Sequence, residues 1–195
     1  MRQAGSAGHR AETATRDPGA QADAPALASG RINSLPWYAL ALVLLLADQA
    51  SKALAVGTLD YAAPVRLFAW FDLTLHYNEG AAFSFLSGAG GWQRWFFAAL
   101  AIGVSAAIAL WLYRLGKRQW PLALGLALVL GGAVGNLIDR LRLGYVVDFI
   151  SVHYRDWYFP TFNVADAAIS VGAAVIILDS LFSAEDDTAG RPQPN

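Results

Sequence analysis

The chain has 195 residues, 56% hydrophobic and only 15% charged, a balance too apolar for an ordinary water-soluble domain and suited to a membrane protein. A formal net charge of -1 with scattered basic residues argues against nucleic acid as a partner and against a polybasic lipid-binding patch. Cysteine is absent, which excludes disulfides, a thiolate nucleophile and a thiolate-bound metal.

Residues 1–34 are rich in Ala, Gly, Arg, Asp and Thr and contain no apolar run of the length a secretory signal core requires. Such a composition cannot build a core, so a disordered N-terminal tail is predicted. From Leu35 onward, four segments approach the roughly 20 residues needed to cross a bilayer. They are 37–56, 95–115, 120–138 and 164–182. "WYALALVLLLA", "FFAALAIGVSAAIALWLY" and "PLALGLALVLGGAVG" are hydrophobic all round, whereas a helix on a soluble core is apolar on one face. Trp37, Tyr38, Trp92, Trp95, Trp111, Tyr113 and Trp120 fall near the segment ends, as an interfacial aromatic belt requires.

Between the first two spans, "RLFAWFDLTLHYN" mixes alternation with aromatic residues and predicts short strands at the interface. The glycine-rich "SGAGG" (87–91) is a flexible link into span two. The expected fold is an all-α membrane protein: four transmembrane helices, a small external β-like cradle and an interfacial loop at 151–161, "SVHYRDWYFPT". Residues 35–183 form one membrane domain and 184–195 a C-terminal tail. Either the cradle or the 151–161 loop is expected to gate entry to a site below.

Arg114, Lys117 and Arg118 crowd the turn between spans two and three, and Arg2, Arg10, Arg16 and Arg31 lie in the tail. Positively charged flanks stay in the cytoplasm, so both termini are predicted inside and residues 57–94 and 139–163 outside, in the periplasm of a double-membraned bacterium. The bias is modest, because Arg66, Arg140, Arg142 and Arg155 lie on the opposite side.

With that topology the polar residues of the spans collect at one level. Asp48 and Lys52 lie toward the end of span one, Asn136, Asp139 and Arg140 close span three, and Asn163 and Asp166 open span four. Polar groups in hydrocarbon are costly unless they pair or line a wet cavity, so their convergence argues for a site. Each also has a plainer reading. Asp48 and Lys52, four residues apart, suit a structural ion pair with a snorkelling lysine as well as a site. Asn136 and Arg140 suit ties to the loops, Asp139 an interfacial position, and Asp179, at the other end of span four, a solvated terminus.

Asp148 and Asp166 are harder to set aside, since Asp166 lies about one turn inside an apolar helix with no basic residue in its own segment. Two close carboxylates cannot both ionise easily and share a proton. One can then take a proton from water while the other donates to a leaving amine, which is aspartyl peptide hydrolysis. The chain has no HExxH, Walker or GxSxG motif, and His9, His76 and His153 are too dispersed to suggest a metal site. The rival readings are a proton-coupled carrier and a non-enzymatic scaffold. A carrier needs ionisable groups through the full depth, whereas the inner half of each span is nearly devoid of them.

The blocks "ADQASK" (47–52), "YNEGAAFSFL" (77–86), "GGAVGNLIDRLRLGYVVDFI" (131–150) and "FNVADAAIS" (162–170) resemble, in order, the motifs of the lipoprotein signal peptidase family, or signal peptidase II. The resemblance covers about residues 36–183. It implies that Asp148 and Asp166 are the catalytic dyad, and that Asn78, Gly80, Asn136, Arg140 and Asn163 bind substrate or support the dyad. It also implies that Ala81, Ala82 and Phe83 complete a small-residue turn, and that Asp48, Lys52 and Asp139 are structural polar residues. The implied substrate is a diacylglyceryl-modified bacterial prolipoprotein, cut on the amino side of the lipidated cysteine at the external face of the inner membrane. No cofactor or metal is implied, the partners are signal peptides and membrane lipids, a monomer is expected, and globomycin-type cyclic peptides should inhibit.

Overall fold

The structure is a computed structural model that describes residues 31–80, 91–117 and 119–189, with side chains described to Phe182. The predicted tail before residue 31, the small-residue positions 81–83, link residues 87–90, Arg118 and the last six residues lie outside the described residues.

The chain order is α1 (Leu35–Thr58), β1 (Val65–Phe68), β2 (Phe71–Asn78), α2 (Trp92–Arg114), α3 (Trp120–Arg142), β3 (Val146–Tyr154), β4 (Trp157–Tyr158) and α4 (Val164–Ala189). Each of the four helices is long and apolar enough to cross a membrane, α4 by its portion Val164–Phe182. Proline in the first turn of α1 and of α3 needs no intrahelical N–H partner and pre-sets helical φ. Leu42 and Leu46 on α1, Leu100 on α2 and Ile177 on α4 are exposed, as side chains that face lipid are.

Helix α3 is the centre of the bundle, packed against α4, α1 and α2. Its most apolar stretch is 56% buried, against 22% for α1 and α2 and 17% for α4. Glycine makes this possible where α3 crosses α4: a Cβ at Gly172 would lie 2.7 Å from the carbonyl oxygen of Gly125. Close backbone approach of this kind replaces the hydrophobic driving force that helices lack inside lipid. At the end of the bundle remote from the sheet, Ile32 N–H donates to Leu115 O at 2.9 Å and the Arg31 guanidinium lies over the Tyr113 ring. The last residues before α1 are thereby tied to the α2–α3 turn.

The strands form one four-stranded antiparallel sheet, in the order β1-β2-β3-β4. Strands β1 and β2 fall where alternation predicted them. Strands β3 and β4 replace the loop expected at 151–161, and Asp148 lies on β3. The reason lies in which residues are buried: Val146 to Phe149 are buried without a break, and beyond them the polar Ser151 and His153 are buried while Val152 and Tyr154 are less so, the reverse of an apolar-in pattern. Gly144, at φ +92°, makes the turn from α3 into β3. The strand is thereby laid over the last turn of α3, and its return through Phe162, which pairs with Ile150, leads into α4.

Candidate active site

Asp148 is held at the centre of the sheet by the β2–β3 register, which sets it opposite His76 and sets Asn78 opposite Val146. Only 2% of its surface is exposed. Asn78 Nδ2 donates to its Oδ2 at 3.2 Å and Asn163 Nδ2 to its Oδ1 at 2.7 Å. Burial, and next the neighbouring Asp166 carboxylate, push the Asp148 carboxyl from 3.8 up to about 7. The amides of Asn78 and Asn163 and the charge of Lys52 work against that rise.

Asp166 occupies the first turn of α4, and Asn163 is the residue that begins that helix. Asn163 Oδ1 accepts the Asp166 N–H at 2.9 Å, and Asp166 Oδ2 accepts the Asn163 N–H at 3.3 Å. This is a reciprocal capping box, which satisfies two backbone donors that the helix itself leaves without partners. The local sequence "NVAD" therefore sets the orientation of Asp166 before any tertiary contact does. Because its oxygen is engaged by the helix, the Asn163 amide nitrogen is turned toward Asp148. One fully buried residue thus joins the two carboxylates, Asp148 through its side-chain amide and Asp166 through its backbone N–H.

Asn136, on α3, donates from Nδ2 to Asp166 Oδ1 at 2.7 Å. Arg140, one turn on, reaches Gly80 O at 3.1 Å with Nη2 and lies over the Phe97 ring. Asp148, Asp166, Asn136, Arg140 and Asn78 share a cavity of about 890 Å³, which extends along α4 to Ile169 and Val171. Val171 is exposed on the outer face of α4, so the cavity is open toward the region that lipid would occupy. Its walls offer the Arg140 guanidinium, the amides of Asn78 and Asn136 and the carboxyls of Glu79, Asp148 and Asp166 around space large enough for an extended peptide segment.

The residues expected to be structural lie behind that cavity. Lys52 Nζ contacts Asp48 Oδ2 at 2.8 Å and Asp139 Oδ2 at 2.9 Å, and donates to Asn136 Oδ1 at 2.9 Å. Asp139 is not at a wet interface as its place near the end of span three suggested. It is only 3% exposed, because β3 folds back over the end of α3 and Val147 N–H donates to its Oδ2 at 3.2 Å. Gln49 completes the cluster, donating to Asp139 Oδ1 at 2.9 Å and to Asp48 Oδ2 at 3.2 Å. Gln49 has no role apparent in the sequence. Its signal was its place in "ADQASK", between two ionisable residues on an apolar helix. His76, set opposite Asp148, is likewise a cavity wall that the dispersal of the histidines had hidden. Among the described residues, no group of three or more His, Asp or Glu is placed to hold a metal ion.

Residues 40–182 match the model of a family described as signal peptidase (SPase) II. The chain is 53% identical over 149 residues to a lipoprotein signal peptidase of Teredinibacter turnerae, covering 76% of this chain and 89% of that protein. It is 54% identical over 157 residues to the lipoprotein signal peptidase of Pseudomonas fluorescens strain Pf0-1, covering 78% and 91% of the two chains. Among solved structures, a bacterial membrane enzyme determined by the in meso method superposes with a TM-score of 0.73 at 26% identity. That match covers 85% of this chain and 97% of the solved one.

Proposed function

The chain belongs to the signal peptidase II family, whose members are peptidases that remove signal peptides from prolipoproteins, and from that premise we propose that Asp148 and Asp166 perform the cleavage. The observation that carries the reading is that both carboxyls face one cavity and are joined by Asn163. The ionised member of the pair takes a proton from a water molecule, whose hydroxide adds to the scissile carbonyl carbon. The protonated member gives its proton to the carbonyl oxygen, producing a tetrahedral diol. Collapse of the diol breaks the C–N bond as the leaving amine takes up the proton first removed from water, while a diol hydroxyl returns its proton to the other carboxylate, so that the pair again shares one proton. With Asp148 pushed to about 7, both protonation states are accessible near neutrality.

The substrate is a prolipoprotein whose signal peptide lies in the bilayer and whose cysteine carries diacylglycerol. The bond cut is on the amino side of that cysteine. The lipid anchors hold the scissile bond at the depth of the dyad, which makes the encounter effectively intramolecular. Opening of the cavity past Val171 suits lateral entry from lipid. Arg140 and Asn136 bind the substrate backbone and support the dyad, and Asn78 and Gly80 shape the outer wall. Both termini lie in the cytoplasm and the dyad at the external face of the inner membrane, in keeping with the basic residues Arg114 and Lys117 at the opposite end of the bundle. The working unit in this reading is a monomer.

The test is cleavage of a diacylglyceryl-modified prolipoprotein in detergent by the wild-type protein and by Asp148→Asn and Asp166→Asn. Asparagine keeps the shape and cannot exchange the proton, so each variant should lose about 10²–10⁴-fold in turnover. Near-normal turnover in either variant would reopen the carrier and scaffold readings.

A further inference from the structure

Lys52 is the one ammonium group buried in the described bundle beneath the dyad, and its three partners lead to different parts of the site. The first arm runs through Asp48, whose Oδ1 accepts Ala165 N–H at 2.9 Å, next to Asp166 in sequence. The second runs through Asp139, whose Oδ2 accepts Val147 N–H, next to Asp148. The third runs through Asn136, whose Nδ2 donates to Asp166 itself. Each arm therefore ends on an aspartate of the dyad or on the backbone beside it.

We propose that Lys52 is the positioning residue of this site: one buried cation sets the placement of both dyad aspartates and the charge state they share. The proposal rests on the peptidase reading for its catalytic meaning and on geometry alone for its structural content. An ammonium group only donates, so Asn136 must present its oxygen to Lys52 and its NH2 to Asp166. With Lys52 replaced by an apolar residue, only the longer bond from Asn163 Nδ2 to Asn136 Oδ1, 3.3 Å, holds the amide in that orientation, against 2.9 Å from Lys52. Asp48 and Asp139 would also lose the charge between them, leaving the neutral amide of Gln49 as the bridge between two buried carboxylates that seat the Ala165 and Val147 N–H groups.

The second consequence is electrostatic. Asp148 faces Asp166 from α4, Arg140 and Asp139 from α3, Lys52 with Asp48 from α1, and His76 and Glu79 from β2 and its end. Among these the Lys52 charge lowers the Asp148 carboxyl against burial and Asp166, which raise it. Removing the cation should move Asp148 upward. Removing the Asp139 anion should move it downward. A purely mechanical brace would give no such opposition of sign.

The experiment uses the full chain in detergent and two readouts. The first is the titration midpoint of Asp148, followed by the infrared band of its protonated carboxyl and assigned by the loss of that band in Asp148→Asn. The second is the pH profile of kcat and KM on a diacylglyceryl-modified prolipoprotein. For Lys52→Met the midpoint and the alkaline limb should rise by about half a pH unit or more, with kcat down about tenfold and KM within about twofold. For Asp139→Asn, which keeps an acceptor for Val147 N–H, both should fall. Should Lys52→Met fail to fold, Lys52→Gln, which keeps a donor for Asn136 and loses the charge, takes its place with the same expected rise. A midpoint unmoved in the folded variants, or moved in the same direction in both, overturns the proposal. A wild-type protein that cuts no prolipoprotein sinks the peptidase reading instead, while the infrared midpoints still judge Lys52.

Discussion

Asn163 Nδ2 lies 2.7 Å from Asp148 Oδ1 while the oxygen of the same amide caps the helix that carries Asp166. The two aspartates come from a strand and a helix, and this side chain sets one against the other. Replacing Asn163 by aspartate keeps the capping oxygen and puts an acceptor or an anion where Asp148 needs a donor. Turnover should fall by about tenfold or more with loss of the charge-assisted bond. Replacing it by alanine removes the cap as well and should cost about 1 kcal/mol of stability in addition. Cleavage assays and thermal melts of the two variants separate the effects; equal melts for both would contradict the capping role.

The displaced carboxyl of Asp148 makes stability depend on pH with a definite sign. Its folded value, about 7, lies above the 3.8 of an unperturbed aspartate, so between those two values the folded protein holds the proton more tightly than the unfolded chain does. The stabilising contribution is complete below about 3.8 and is lost as pH rises through about 7. In Asp148→Asn this slope should disappear from the melting temperature measured between those limits. In the wild-type protein, kcat/KM should decline above neutrality, where the pair loses its shared proton. A melting temperature with the same pH slope in both proteins would exclude Asp148 as its source.

At the crossing of α3 and α4 an added methyl has nowhere to go. A Cβ at position 172 would lie 2.7 Å from Gly125 O, 2.8 Å from Val129 Cγ2 and 2.9 Å from Leu128 Cβ. Gly172→Ala should therefore destabilise by about 1–3 kcal/mol. On α2, a Cβ at Gly103 would meet nothing within 4 Å, so Gly103→Ala should be neutral or gain up to about 1 kcal/mol from helix propensity. Thermal melts in one detergent compare the pair. Equal melting temperatures would mean that the helices can part at no cost.

Much of the site was legible from one-dimensional rules. "NVAD" places a carboxylate in the first turn of a helix and an amide at its cap, and the spacing of Asn136 and Arg140 puts them on one face of α3. Strand β3 was not legible, since its first four residues are all buried and its second half buries the polar Ser151 and His153, and neither was the burial of Asp139, which depends on that strand folding back over α3. The role of Gln49 was equally hidden: its amide reaches Asp139 and the carbonyl of Gly135, groups on a helix about ninety residues away.

The number of spans, their apolar character and the gathering of polar residues at one end follow from the sequence alone, because the hydrocarbon thickness acts on each segment independently. The motif blocks add the family, and with it the two aspartates. Which polar group meets which was decided by tertiary structure. Asp48 and the Ala165 N–H it accepts are 117 residues apart, and Asn78 and Asp148 are 70 apart. No local preference selects such partners. They are selected because a buried donor or acceptor in lipid has no water to fall back on, so the bundle and sheet must close in the arrangement that satisfies them together.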